Sequence, residues 1–189
     1  MKSLTLVTGN KNKLREFEEI LNTPLSSFDF DLPEIQSPSV EVVALTKAKE
    51  AYTILKKPVI VEDTGFELDA WKGLPGAFLK FFEQAFYKDH LIKLLAGETN
   101  RKGAAVCAIG YCDRNISFTV LGKVHGSITE EPRGECGFGF DYSFVPDGYT
   151  KTFAEMTSEE KNKISHRKRA IESLQKELIA RTLSGYDKT

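Results

Sequence analysis

The sequence predicts an α/β protein in which a mixed sheet is flanked by helices. A short β-prone run at Leu4–Val7 precedes a helical pattern, and a second helical pattern precedes the apolar run Val59–Val61. Two β-rich runs follow at 104–112 and 116–124, and the polar residues 113–115 between them are typical of a hairpin turn. Helix-linked strands followed by a hairpin indicate a sheet that is partly antiparallel.

The first half of the chain contains two predicted helices and a second strand. The first helix follows the polar loop 8–12 and directs four apolar side chains inward, namely Leu14, Phe17, Ile20 and Leu21. The second starts at Ser37-Pro38 and ends before Pro58, with an apolar face made of Val40, Ala44, Ala48, Ala51 and Leu55. We expect the strand Val59–Val61 to be buried on both faces and to end in a polar turn at residues 62–65.

The second half continues with loops, strands and helices. Residues 73–76 have the composition of a loop, and a helix is predicted over 83–96, with a stripe formed by Phe86, His90, Leu91, Leu94 and Leu95 and a stop at Gly97. A further strand is expected near residues 127–129. Residues 157–160 form a capping box that opens a helix, and the closing helix has an apolar stripe of Ile171, Leu174, Leu178 and Ile179.

Composition predicts one intracellular domain over residues 1–189. The chain has 41% hydrophobic residues, enough for a proper core, and 26 basic against 27 acidic residues leave a net charge of −1. No global field would therefore attract a nucleic acid or an anionic membrane. We expect neither a membrane-spanning segment nor a signal peptide, because no apolar stretch reaches the required length and the apolar run at the N-terminus is short. Three cysteines without a CxxC pair argue against a disulfide framework and a zinc site.

Two segments carry the main signals for chemistry. The loop from Thr8 to Lys13 leads from a strand into a helix N-terminus, where unpaired N–H groups favour phosphate, although the same spacing fits an ordinary turn. Glu62 and Asp63 come directly after the buried strand, where carboxylates can hold a hard cation and activate water. A polar turn is the alternative interpretation of that pair.

Other segments are weaker signals when each is taken alone. Glu34 lies in a Pro-bounded loop, and Lys47 lies at the rim of an apolar helix face, where anion binding and snorkelling are both consistent with its position. A basic cluster at 161–169 suits a triphosphate but is also typical of a solvated helix face. The segment 137–141 could stack on a base and accept hydrogen bonds from its edge, or could be a glycine-rich strand or bulge.

Taken together and in order, these motifs resemble the inosine triphosphate pyrophosphatase family. The resemblance rests on Thr8-Gly9-Asn10-x-x-Lys13, Val61-Glu62-Asp63-Thr64-Gly65, Gly73-Leu74-Pro75-Gly76, Phe138-Gly139-Phe140-Asp141, Ala154-Glu155-Met156 and the segment from Glu160-Lys161 to Ser165-His166-Arg167. It implies an elongated α/β fold with a long twisted mixed sheet and two lobes around a cleft, assembled as a homodimer. It also implies Mg²⁺-dependent hydrolysis of inosine, deoxyinosine and xanthosine triphosphates to the monophosphate and pyrophosphate.

The resemblance further implies roles for individual residues. Asp63 would activate water, Glu34 and Asp63 would hold Mg²⁺, and Glu62 would support them electrostatically. The substrate-binding residues would be Thr8, Gly9, Asn10, Lys11, Asn12, Lys13, Lys47, Thr64, Lys80, Phe138, Gly139, Phe140, Asp141, Lys161, His166 and Arg167. Among these, the lysines at 13, 47, 80 and 161 would grip the triphosphate, and residues 138–141 with 166–167 would surround the base.

Two alternatives stay open at this point. A Maf-type pyrophosphatase acting on modified pyrimidines or standard nucleotides would have similar chemistry, but the segments 138–139 and 165–167 argue against it. A nucleotide-binding regulator without hydrolysis is the other alternative, and the presence of Asp63, Glu34 and Lys13 argues against that. The chain departs from the family at Phe140, where many relatives have Tyr or Trp, so stacking would survive but a hydrogen-bond donor for base selection is lost.

Overall fold

The computed structural model describes residues 4–30 and 32–183, in which seven strands form one sheet with helices around it. The strands in chain order are β1 (Thr5–Val7), β2 (Ser26–Phe28), β3 (Val59–Leu68), β4 (Pro75–Gly76), β5 (Lys102–Cys112), β6 (Ser117–Ile128) and β7 (Phe144–Pro146). The helices are α1 (Lys11–Leu21), α2 (Val40–Leu55), α3 (Leu79–Phe86), α4 (His90–Leu94), α5 (Ser158–Ile164) and α6 (His166–Leu183). Short 3₁₀ turns cover Asp69–Trp71, Tyr87–Asp89, Gly139–Tyr142 and Phe153–Glu155.

The sheet is mixed, as the sequence predicts. Its strand order is β2-β1-β3-β5-β6-β7, with β4 paired to β3. Strand β1 runs parallel to β2 and β3, and every other pairing is antiparallel. The fold class is therefore confirmed. The two-lobed outline that the resemblance implies stays a prediction. Within the described residues, no helix has the length and apolar character to cross a membrane.

Both faces of strand β5 are covered by helices, so this strand lies in the interior of the molecule. Its alternate residues Cys107 and Ile109 pack in the same cluster as Ile171 of α6, whereas Val106 and Ala108 pack in the cluster that contains the start of α2. A strand with helices on both faces has no solvated side, which explains the nearly continuous burial of β5.

A glycine on β6 sets how closely α6 approaches the sheet. A Cβ placed on Gly122 would lie 2.1 Å from the backbone oxygen of His166 and 2.3 Å from the backbone nitrogen of Ala170. Any side chain at this position would push the first turns of α6 away from the sheet. The first two residues of α6, His166 and Arg167, belong to the candidate site described below.

The prediction that strand β3 ends at Val61 is wrong. The strand continues to Leu68, so residues 62–65 are not a turn but pair with β5, with Glu62 opposite Ile109 and Asp63 opposite Ala108. The sequence suggested a turn because charged residues are rare in buried strands. Here they are accommodated because lysine and arginine side chains from neighbouring elements pair with them.

Other boundaries also differ from the predictions. Helix α2 begins at Val40 with Ser39 as its N-cap, because the carbonyl of Pro38 accepts a hydrogen bond from the backbone of Ala77 instead. The helix predicted over 83–96 is divided into α3 and α4 at Tyr87, whose φ is +52°. The division lets both Leu79 and Leu91 enter one core built around Phe66, Phe140, Phe144 and Phe153.

Three smaller expectations fail in the second half. The strand expected at 127–129 is the end of β6 rather than a separate element, and residues 139–142 form a 3₁₀ turn rather than a strand or bulge. In the closing helix, Ile171 and Leu174 are buried, but Ile179 is exposed. The capping box at Thr157 and Glu160 is confirmed at the start of α5.

Candidate active site

A pocket of about 380 Å³ brings together nearly all of the residues singled out in the sequence. It is lined by Thr8, Gly9, Asn10, Lys13, Glu34, Lys47, Glu62, Asp63, Thr64, Lys80, Phe138, Gly139, Phe140, Asp141, Lys161, His166 and Arg167. Of the predicted site residues, Lys11 and Asn12 are not part of this lining. The volume is in the range of small-molecule sites.

The side chains of Glu62 and Asp63 lie on opposite faces of β3. Successive side chains of a strand point to opposite faces, and both of these carboxylates are buried. Glu62 therefore meets cations from α1 and α6, whereas Asp63 meets the lysine that projects from α2. One strand thus supplies two carboxylates with different surroundings.

Glu62 is held ionised by a dense set of partners. Its carboxylate lies 3.0 Å from Lys13 Nζ and 3.2 Å from Arg167 Nη2, and it accepts a short hydrogen bond from the Thr64 hydroxyl. Burial raises the pKa of Glu62, but the charges of Arg167 and Lys13 outweigh this effect, so the pKa lies well below its ordinary value. Glu62 is consequently a permanent anion that holds two cations in place.

Asp63 has the opposite electrostatic character. Burial raises its pKa to about 6, because Lys13 and Lys47 only partly offset the burial and the neighbouring carboxylates of Glu62 and Glu34 add to it. Its Oδ1 lies 3.5 Å from Lys47 Nζ, while its Oδ2 is buried and makes no hydrogen bond to any residue that the structure describes. A carboxylate with a pKa near neutrality and an unpaired oxygen is suited to accept a proton.

Glu34 and two lysines complete this end of the pocket. Lys47 Nζ lies 2.7 Å and Lys80 Nζ 2.6 Å from the same Glu34 oxygen, and Lys47 thereby connects Glu34 to Asp63. Burial opposes ionisation of Glu34, but hydrogen bonds from both lysines bring its pKa below the ordinary value. Lys47 is therefore an ion-paired residue of the pocket, and its binding of an anion stays a prediction.

The carboxylates at this end fit Mg²⁺ in a particular way. Within residues 4–30 and 32–183, no group of three or more His, Cys, Asp and Glu side chains is arranged as a complete metal site. Mg²⁺ commonly uses one or two carboxylates together with substrate phosphates and water. Glu34 and the unpaired Oδ2 of Asp63 supply that number of oxygen ligands.

The loop between β1 and α1 is organised by a side-chain cap. Asn10 Oδ1 accepts hydrogen bonds from the backbone nitrogens of Asn12, at 2.9 Å, and Lys13, at 3.2 Å. The Thr8 hydroxyl accepts one from the backbone nitrogen of Asn10. The cap occupies two of the backbone N–H groups that a phosphate would otherwise use. The main feature that this loop offers to an anion is therefore the charge of Lys13, which lines the pocket.

The aromatic end of the pocket rests on a buried ion network. Lys161 Nζ lies 2.8 Å from Glu16 and 2.6 Å from Asp141, and Glu16 also pairs with Arg167. Lys161 Nζ is 4.8 Å from the centre of the Phe138 ring. These contacts group Lys161 with residues 138–141 rather than with Glu34 and Asp63. Asp141 is engaged by Lys161 and by the backbone nitrogen of Phe138.

His166 is the polar group at this end without a partner. It is buried between the rings of Phe140 and Phe153, and neither ring nitrogen makes a hydrogen bond to a described residue. Burial, reinforced by the charges of Arg167 and Lys161, brings its pKa well below the ordinary value. The imidazole is therefore neutral near pH 7, with one nitrogen able to donate a hydrogen bond and the other able to accept one.

Phe140 and the basic cluster are arranged differently from what their sequence motifs suggest. Phe140 is 5% exposed and its ring packs on Phe66, Phe144 and His166, so Phe138 presents the more accessible ring.

Within the basic cluster at 161–169, three residues line the pocket, namely Lys161, His166 and Arg167. The others pair elsewhere, Lys163 with Glu159, Lys168 with Glu172 and Arg169 with the carbonyl of Lys123. Part of the cluster therefore lines the pocket and part is a solvated helix face, and triphosphate binding by the cluster stays a prediction.

Sequence reasoning missed two acidic residues of the pocket region. Glu16 is buried and holds both Lys161 and Arg167. Its position next to Phe17 on the inward face of α1 was a detectable signal, because an acid there needs a buried cation. Glu83 lines the pocket from α3 and carries no sequence motif that would distinguish it.

Comparison with known proteins gives a consistent result. The sequence matches the Ham1 family over residues 4–177. A dITP/XTP pyrophosphatase of Methanopyrus kandleri is 43% identical over 87% of this chain and 90% of its own length, and an inosine triphosphate pyrophosphatase of Yarrowia lipolytica is 45% identical over 91% and 93%. The structure of the Staphylococcus aureus Ham1 protein superposes with a TM-score of 0.79 at 29% identity, covering 94% of this chain and 98% of that one.

Proposed function

The chain belongs to the Ham1 family, and from this premise we propose that it hydrolyses the triphosphates of inosine, deoxyinosine and xanthosine to the monophosphate and pyrophosphate. Relatives that are 40–45% identical are named inosine triphosphate or dITP/XTP pyrophosphatases. One observation carries the proposal for this chain: a single pocket joins a buried carboxyl with a raised pKa and several lysines at one end to a neutral histidine and an accessible aromatic ring at the other.

The proposed cofactor is Mg²⁺, held by Glu34 and Asp63. The support is that the two carboxylates share the cation Lys47 and that one Asp63 oxygen is buried without a hydrogen bond to a described residue. When bound, the ion neutralises the negative charge that develops on the phosphate oxygens. The number of carboxylates fits an ion that takes its other ligands from phosphate and water.

Asp63 is the proposed general base. A pKa of about 6 leaves the carboxylate mainly ionised at pH 7 and still basic enough to take a proton from water. Attack on the α-phosphorus forms a bond from the water oxygen to phosphorus and breaks the bond to the bridging oxygen, which leaves with pyrophosphate. The water proton goes to the Asp63 carboxylate.

The lysines would stabilise the leaving pyrophosphate. Lys47 and Lys80 pair with Glu34, and Lys13 pairs with Glu62, so each is already fixed in the pocket before substrate arrives. Cations placed in advance need little reorganisation when charge develops, which is the main source of catalysis in such reactions. Lys161 is fixed by Glu16 and Asp141 at the aromatic end, so we assign it to the surroundings of the base and not to the leaving pyrophosphate.

Base selection would be achieved by Phe138 and His166. Phe138 offers a ring for stacking, and the neutral His166 can donate a hydrogen bond to a 6-oxo group while its other nitrogen stays available as an acceptor. Adenine carries a 6-amino group, which needs an acceptor, so rejection of adenine requires that His166 keeps the tautomer that donates at this position. Guanine also has a 6-oxo group and must be rejected through its 2-amino group.

Three further properties belong to the same proposal. We propose that residues 1–189 form one domain with two lobes around the pocket, that the protein assembles as a homodimer, and that it acts in the cytoplasm on the nucleotide pool. Like the substrate assignment, these properties follow from the family resemblance.

A panel of nucleotides tests the proposed function. The purified protein is incubated with Mg²⁺ and the triphosphates of inosine, xanthosine, guanosine, adenosine, cytidine and uridine, and pyrophosphate and orthophosphate are measured separately. Pyrophosphate from inosine and xanthosine triphosphates alone supports the proposal. Orthophosphate release, a preference for pyrimidines or the absence of turnover would each contradict it.

A further inference from the structure

The backbone on either side of Phe138, the ring proposed to stack on the base, has little stiffness of its own. Phe138 lies between Gly137 and Gly139, whose φ angles are +99° and +58°. Glycine adopts positive φ at no steric cost and has wide conformational freedom, so these neighbours restrict the backbone of Phe138 very little. The orientation of the Phe138 ring therefore depends on contacts made by other side chains.

The peptide group that joins Gly137 to Phe138 is held at both of its polar atoms. Its N–H donates to Asp141 Oδ2 at 2.9 Å. Its carbonyl accepts from the Tyr142 hydroxyl at 3.0 Å. Asp141 is buried and is itself fixed by Lys161, at 2.6 Å. Because a peptide group is planar, two hydrogen bonds at its opposite edges fix the plane from which the Phe138 side chain projects.

The half-buried Tyr142 is not part of the pocket lining, so it can affect a substrate only through the groups that it holds. Its ring is held in turn by Lys88, whose Nζ lies 4.0 Å from the ring centre. Lys88 belongs to the 3₁₀ turn that follows α3, and α3 contributes Lys80 to the pocket. Tyr142 thus connects the turn after α3 to the segment that carries Phe138.

We propose that Tyr142 is a positioning residue, which fixes the Phe138 ring for stacking through its hydrogen bond to the Gly137 carbonyl. The inference rests on the proposed function, in which Phe138 stacks on the base. Without the Tyr142 hydroxyl, the carbonyl can accept from water, and the peptide group can turn about the neighbouring glycine backbone. The ring must then be ordered when the nucleotide binds, and this ordering lowers the affinity.

A double-mutant cycle separates this role from a purely structural one. The kcat and KM for inosine triphosphate are measured with Mg²⁺ for wild type, Tyr142→Phe, Phe138→Ala and the double variant. Tyr142→Phe removes only the hydroxyl and keeps the ring that contacts Lys88. Tyr149→Phe is the matched control, because Tyr149 is an exposed tyrosine that does not line the pocket.

Tyr142→Phe should raise KM about fivefold, the effect of losing one neutral hydrogen bond. The kcat should stay within about twofold of wild type, because stacking is equal in ground and transition states. Phe138→Ala should raise KM about tenfold, as expected for the loss of one stacked ring. In the Phe138→Ala background, Tyr142→Phe should have no further effect, because the ring through which it acts is absent. Tyr149→Phe should behave as wild type.

Several results would overturn the assignment while the proposed function stands. In one, Tyr142→Phe has the KM of wild type, whether or not its melting temperature falls. In another, Tyr142→Phe raises KM by the same factor with and without the Phe138 ring. A Phe138→Ala variant with the KM of wild type would also overturn it. If the wild type releases no pyrophosphate from inosine triphosphate, the proposed function itself fails, and the assignment of Tyr142 fails with it.

Discussion

Replacing Asp63 with Asn should abolish turnover and make the folded protein more stable. Asp63 is 8% exposed, and its pKa rises from 3.8 to about 6 on folding. A raised carboxyl pKa means that the folded state favours the protonated form, so this contribution to stability is full below pH 3.8 and is lost as the pH rises through about 6. A difference of roughly 2 pKa units corresponds to about 3 kcal/mol above pH 7.

Asparagine has the shape of the protonated acid and avoids that cost at every pH. The measurement is urea unfolding of wild type and Asp63→Asn by circular dichroism, in EDTA so that no metal pairs with the carboxylate. At pH 8, we expect the variant to be more stable by about 3 kcal/mol, and at pH 5 by only about 1.5 kcal/mol, because the folded wild type is then largely protonated. Turnover should be absent in the variant, while nucleotide binding stays measurable by calorimetry.

The exposed Asp147 provides the control. Asp147→Asn should leave the free energy of unfolding within about 0.5 kcal/mol of wild type at both pH values. Two results would refute the burial of an ionised carboxyl. In the first, Asp63→Asn is no more stable than wild type at pH 8. In the second, the difference in free energy of unfolding between variant and wild type is the same at pH 5 and pH 8. Turnover near the wild-type rate would refute its role as base.

Other perturbations test the pocket and its support. The kcat/KM for inosine triphosphate should be constant above pH 7 and fall about tenfold per pH unit well below pH 6, because Asp63 becomes protonated. A kcat/KM that stays constant down to pH 5 would exclude Asp63 as the general base. Lys47→Met should tighten Mg²⁺ binding to the nucleotide-free protein several-fold in calorimetry, because Lys47 pairs with both proposed ligands; unchanged or weaker binding would contradict this. Gly122→Ala should lower the free energy of unfolding in urea by about 2 kcal/mol and reduce turnover, because the added Cβ would contact the first turn of α6. A variant as stable as wild type would show that α6 can move away from the sheet.

The sequence predicts the elements of this fold better than their limits. Apolar periodicity identifies α1, α2 and the hairpin of β5 and β6, since those patterns depend on local geometry. It places the end of β3 too early, because Glu62 and Asp63 are accommodated in a strand only through cations distant in sequence. The break at Tyr87 is equally invisible, since it serves a core that is assembled from remote residues.

The candidate site was predictable in its membership but not in its pairings. Seventeen of the residues named from the sequence line one pocket. The ordered motifs do not reveal that Lys161 pairs with Glu16 and Asp141, or that the Phe140 ring is packed in a core. Such facts depend on side-chain geometry across distant segments, which periodicity and motif order do not encode.

Hydrolysis of inosine triphosphate in H₂¹⁸O, followed by ³¹P NMR, tests most directly whether water attacks the α-phosphorus in this pocket. Attack there puts the solvent oxygen on the phosphate of inosine monophosphate and leaves the pyrophosphate unlabelled. That is the result we expect. Label in the pyrophosphate, or labelled orthophosphate, would show attack at the β- or γ-phosphorus and would contradict the proposed reaction.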